Sequence, residues 1–148
     1  MLRGVESGRR VVFILFDGMK MLDVMGPAEV FAEAGLVGAD YTISYVSPSG
    51  QPVMTSAGIR LPVDGTPDDV TDADMVVVSG GDVLVTHPVP EDLVAAIQKL
   101  RGRTRRLVSI CTGSFALARG CRREWISRSR WSSRTTGRTS RGRSRAGW

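Results

Sequence analysis

The sequence predicts an α/β fold built on a doubly wound parallel sheet with helices on both faces. Three observations lead there. Short, uninterrupted apolar runs recur along the chain, as strands buried on both faces require; stretches with helical spacing lie between them; and turn residues gather where each run ends. At 148 residues the chain has the length of one domain with a substantial core.

The first run is Val11 to Phe16, closed by Asp17-Gly18, and residues 1–10 ahead of it read as a polar, disordered N-terminus. From Asp23 the spacing becomes helical, with Pro27 suited to a first turn and Val30, Phe31 and Ala34 recurring on one face before Gly35. Tyr41–Val46 is the second strand, closed by Ser47-Pro48-Ser49-Gly50. Val53 to Leu61 holds a hairpin-like excursion around Ala57-Gly58. Asp64 to Asp74 is acidic, rich in turn residues and at most loosely helical. Met75–Val78 forms the third buried strand and ends in Ser79-Gly80-Gly81-Asp82. Pro90 to Arg101 reads as a helix with Leu93, Ile97 and Leu100 on one face, and Leu107–Ile110 as a fourth buried strand.

Directly after that fourth run stands Cys111, followed by Thr112-Gly113-Ser114 and by Phe115 to Ala118, which fits a helix start. A cysteine on a strand-to-helix turn lies at a helix N-terminus, where unpaired N–H groups and the helix dipole favour the thiolate. Gly113 leaves room there for a ligand or a neighbouring segment. In an open parallel sheet, ligands bind beyond the carboxyl ends of the strands. The segments Asp17–Asp23, Ser79–Asp82 and Cys111–Ser114 all fall at strand ends, and their convergence marks the candidate site.

Charge excludes one function class. The net +5 is uneven, because residues 121–148 hold nine Arg against one Glu, a surplus of eight that leaves residues 1–120 at −3. The body of the chain therefore offers no electrostatic case for specific nucleic-acid binding. Cys111 and Cys121, ten positions apart, match no zinc pattern and form no disulfide framework. No metal or other cofactor is expected. No apolar run has the length of a membrane span, and the expected location is the cytoplasm. The single histidine, His87, receives no role.

Several segments together resemble a known family. Leu22-Asp23-Val24-Met25-Gly26-Pro27-Ala28-Glu29-Val30-Phe31, Val46-Ser47-Pro48, Ser56-Ala57-Gly58, Gly80-Gly81 and Ile110-Cys111-Thr112-Gly113-Ser114 are similar to segments of the ThiJ/PfpI superfamily, the class I glutamine-amidotransferase-like fold. Within it they resemble the group containing isonitrile hydratases and the N-terminal domains of AraC-type transcription regulators. The resemblance implies a flavodoxin-like sheet, a partial domain over residues 11–120, and a small-molecule ligand. It makes Cys111 the elbow nucleophile and Asp23 the acidic residue that contacts it. The backbone of Thr112 with Gly80-Gly81 would form an anion-holding nest.

The resemblance stops at Gly120. The family's downstream Thr-x-His-Trp strand has no counterpart here, so the sheet is expected to be incomplete at the C-terminus. Residues 121–148 contain six Ser, three Gly, three Thr and all three Trp beside their arginines, without periodicity. That composition is expected from a GC-rich gene read out of frame, and marks a non-native, truncating tail. The expected function is the ligand-sensing domain of an AraC-type regulator whose DNA-binding half is missing. A cysteine-dependent hydratase or hydrolase of isonitrile hydratase type is the alternative, and a non-functional fragment the third. Uncovered strands would invite aggregation or a homodimer.

Overall fold

The computed structural model describes residues 8–111. In chain order the elements are β1 (Arg9–Ile14), α1 (Met21–Ala34), a 3-10 turn (Gly35–Val37), β2 (Tyr41–Val46), β3 (Val53–Met54), β4 (Arg60–Leu61), a second 3-10 turn (Pro67–Asp69), β5 (Ala73–Val78), α2 (Val83–Thr86), α3 (Glu91–Arg101) and β6 (Thr104–Ser109). Four strands form one parallel sheet in the order β2-β1-β5-β6, while β3 and β4 make a separate antiparallel pair.

The central strands are β1 and β5, joined in register from Val11 opposite Met75 to Ile14 opposite Val78. Val11 to Ile14 and Val76 to Val78 are all buried, so both faces of these strands are covered, as unbroken apolar runs require. Leu93, Ile97 and Leu100 of α3 and Val24 and Ala28 of α1 join the same core. Phe13 stacks on Tyr45 with centroids 5.6 Å apart, tying β1 to β2.

Four features differ from the sequence reading. β1 begins at Arg9, because Arg9 and Arg10 pair with Tyr41 and Thr42, whereas Leu15 and Phe16 lie buried beyond the strand end. α1 begins at Met21, so Pro27 sits inside the helix and not in its first turn. There it removes one i to i−4 hydrogen bond, a loss the packing of Val24 and Ala28 outweighs. The helix turns Val24 and Ala28 inward and leaves Val30 outside. Finally, Leu107–Ile110 is not buried: β6 is an edge strand among the described residues, and Leu107 is 39% exposed. Among the described residues β6 has a strand neighbour on one side only, β5, and its faces are less covered than those of β1 and β5.

The strand order places the site. The chain leaves β1 for β2 on one side and returns through β5 on the other, so strand order reverses between β1 and β5. The crevice beyond the carboxyl ends of such a pair is where open α/β sheets hold ligands.

Candidate functional site

Two loops meet at that crevice. After β1 the chain turns at Gly18, which has φ +81°, a left-handed conformation that glycine adopts without steric cost. The turn is pinned by the β3–β4 hairpin: Gly18 N donates to the Met54 carbonyl at 2.8 Å, Met54 N to Asp17 Oδ1 at 2.7 Å, and Ser56 N to the Met19 carbonyl at 2.9 Å. Against it lies the loop after β5. Lys20 N donates to the Gly80 carbonyl at 2.8 Å, and Met19 and Gly81 form an antiparallel bridge.

Both glycines of the pair are required by close approach. A Cβ on Gly81 would lie 2.9 Å from the Gly18 carbonyl oxygen and 3.0 Å from Phe16 Cε2. A Cβ on Gly80 would lie 2.6 Å from Cys111 Cβ, 2.9 Å from Asp23 Oδ2 and 3.1 Å from the Ile110 carbonyl oxygen. Gly81 thus lets the two loops pack, and Gly80 lets Cys111 and Asp23 close around one backbone position.

Asp23 is the third residue of α1. It is not the N-cap, a position held by Lys20, whose side chain makes no capping bond. Its carboxylate stands in the first turn, where the helix dipole favours negative charge, and Oδ2 accepts the Gly80 N–H at 3.1 Å. That amide is therefore already engaged and, in this arrangement, is not an open donor for an anion. Cys111 follows β6 with φ +72°, the one non-glycine residue with positive φ among the described residues. For a side-chain-bearing residue this conformation stores on the order of 1–3 kcal/mol, and such strain gathers at functional turns. Its residue is exposed. Cys111, Asp23 and Gly80 are thus together at one point, with Gly81 one residue further along the loop. Thr112 and Gly113 lie outside the described residues, as does the helix expected from Phe115.

One group at this point was not singled out from the sequence. Lys20 Nζ holds Asp82 Oδ2 at 2.6 Å. The hydrogen bond to Asp82 is the main cause that raises the ammonium above its ordinary 10.5; partial burial opposes it, and the charges of Asp82, Cys111 and Asp23 add to it. The usable signal was positional, since every charged residue of a loop at the switch point is a candidate. Ser79, next to Gly80, is buried with its hydroxyl unpaired among the described residues. His87 Nδ1 lies 2.8 Å from Thr86 Oγ1. No group of three or more metal-ligating side chains occurs among the described residues, and none of their helices is long and apolar enough to cross a membrane.

Residues 9–121 match the DJ-1/PfpI family. The chain is 49% identical over 108 residues to an uncharacterized protein in the cpoL 5′ region of Streptomyces lividans, covering 73% of this chain and 77% of that one. It is 32% identical over 116 residues to the HTH-type transcriptional regulator GbdR of Pseudomonas aeruginosa, covering 77% of this chain and 31% of the regulator. It is 29% identical over 108 residues to an isonitrile hydratase of Pseudomonas putida, covering 73% of this chain and 46% of the hydratase. Among solved structures, a ThiJ/PfpI family protein from Pseudomonas syringae superposes with a TM-score of 0.65 at 22% identity, covering 76% of this chain and 46% of that one. The chain thus spans less than half the length of the regulator, the hydratase and this structural neighbour.

Proposed function

The chain belongs to the DJ-1/PfpI family, and from that premise we propose that it is a small-molecule-sensing domain of the kind found in AraC-type transcription regulators. The observation that carries this reading is the Asp23–Gly80 hydrogen bond. A hydrolytic elbow keeps its backbone donors open toward the developing oxyanion, whereas here the Gly80 amide is closed by the carboxylate that would otherwise act as acid or base. A ligand that displaces Asp23 from Gly80 would loosen the joint between α1 and β5, a local change that a regulator can read. The 32% identity to GbdR supports the same reading. A regulator of this kind works in the cytoplasm, and DNA recognition belongs to a part of such proteins that this chain does not match.

The test is thermal unfolding of the full chain against a panel of small carboxylates and amines. A compound that raises Tm by several degrees with wild type and not with Asp23→Ala is expected. A panel that leaves Tm unchanged overturns the reading.

A second reading is favoured by a specific contact. Cys111 and Asp23 flank the same Gly80, and a nucleophile beside a carboxyl is the minimum for cysteine-dependent hydration or hydrolysis. In that reading Cys111 attacks, Asp23 leaves the Gly80 amide to move the proton, and the freed amide with Thr112 and Gly81 holds the anion. Turnover of an isonitrile by wild type above the Cys111→Ala level would replace the sensing reading with this one.

A further inference from the structure

Neither reading uses the cation at the elbow. Lys20 is locked by its backbone on both sides: its N–H donates to the Gly80 carbonyl at 2.8 Å and its carbonyl accepts from Asp23 N at 3.2 Å. The root of the side chain is therefore fixed against the residue around which Cys111 and Asp23 close. We propose that Lys20 is the specificity-determining residue of this site, and that its ammonium, held at the rim by Asp82, selects a small ligand bearing a carboxylate. The inference rests on the reading of Cys111 and Asp23 as a ligand site, and deepens it by naming the ligand class.

Three observations support it. The neighbouring acids are committed elsewhere, since Asp23 Oδ2 takes the Gly80 amide and Asp17 Oδ1 the Met54 amide. The hydrogen bond to Asp82 holds the Lys20 ammonium above its ordinary value, and the charges of Cys111 and Asp23 act on it in the same direction. Its present partner is replaceable. The side chains of Lys20 and Asp82 are 39% and 72% exposed, and ion pairs that open to water contribute little, so an incoming carboxylate can take the place of Asp82 at small cost.

The experiment compares iodoacetate with iodoacetamide on the full chain. In both reactions the Cys111 thiolate forms a bond to the CH2 carbon and iodide leaves, so the fraction of thiolate cancels in the ratio of the two rates. Any loss of rate from a merely structural change cancels as well. Only the charge on the reagent remains. Trypsin cuts after Arg106, Arg119 and Arg122, which places Cys111 and Cys121 in different peptides for mass spectrometry. The iodoacetate-to-iodoacetamide ratio at Cys111 is expected to fall about threefold in Lys20→Gln, the order of one solvent-exposed charge acting through water. It should be preserved in Lys20→Arg and rise in Asp82→Asn. Added salt should shrink the difference in ratio between wild type and Lys20→Gln, as screening of an exposed charge requires. A ratio unchanged by Lys20→Gln, or a Cys111 that neither reagent labels, overturns the inference. A sensing domain that fails to bind any of the carboxylates and amines would leave this ratio untouched, so the two failures are distinguishable.

Discussion

A single methyl group at Gly80 would meet Cys111 Cβ, Asp23 Oδ2 and the Ile110 carbonyl oxygen, all within 3.1 Å. Two of these neighbours are backbone-anchored and cannot yield cheaply. Gly80→Ala is therefore expected to cost about 1–3 kcal/mol, the range for overpacking a tight site, read from the urea midpoint at unchanged slope. An unaltered midpoint would show that the elbow is looser than these distances. Cys111 gives the opposite expectation. Its φ of +72° suits glycine, so Cys111→Gly should stabilise the chain by roughly 1 kcal/mol while Cys111→Ala should not. Equal stability of the two variants would contradict backbone strain at this turn. The close approach at Gly80 could not be read from Gly80-Gly81 alone, because a glycine pair after a strand serves equally well as a plain turn.

Among the elements, α3 and β6 show how differently the same kind of residue is used. Leu100 on α3 is fully buried and Leu107 on β6 is 39% exposed. Leu100→Ala is expected to cost about 2–5 kcal/mol and Leu107→Ala less than about 1 kcal/mol, compared by chemical denaturation. Similar losses would mean that β6 is covered. The 3-10 turn at Pro67–Asp69 carries the clearest pH expectation. Thr66 Oγ1 accepts from Asp68 N, and Asp69 Oδ2 accepts from Thr66 N and Thr66 Oγ1, both at 2.8 Å. The bond from the Thr66 backbone, then that from its side chain, lowers the Asp69 pKa below its ordinary 3.8. A depressed carboxyl pKa in the folded state stabilises above the unfolded value and ceases to do so as pH falls through the folded one. Asp69→Asn should therefore unfold more readily than wild type at neutral pH and match it in strong acid, in thermal melts across that range. A constant difference at every pH would remove the ionised cap from the explanation. Element positions were legible because spacing in sequence maps directly onto strand and helix faces. β2 falls at the predicted residues Tyr41–Val46, and the inward face of α3 is the predicted one. Short pieces such as α2 were not legible, since four residues carry no period.

At the scale of the whole molecule, the apolar surface left open decides behaviour in solution. Leu22 and Val30, two helical turns apart on α1, are 78% and 68% exposed, and Leu36 and Val37 just beyond are 80% and 85% exposed. Exposed apolar side chains gathered along α1 and the turn after it favour self-association. Sedimentation of the purified chain is expected to show species larger than a monomer that grow with concentration, and Leu22→Glu with Val30→Glu should suppress them. A single monomer peak at all concentrations would contradict this.

The amino-acid sequence by itself determined the α/β class, the four parallel strands and the family, because buried strands need unbroken apolar runs and a family motif is a matter of local residue order. It also nominated Cys111 and Gly80-Gly81, because they follow strands, and Asp23 through the family resemblance. Only the tertiary structure decided that β6 lies at an edge among the described residues, that Asp23 occupies the Gly80 amide, and that the Lys20 N–H meets the Gly80 carbonyl. Those facts depend on strand order, which brings residues 20, 80 and 111 to one point. Strand order is set by which faces bury one another, a long-range balance that no local pattern records.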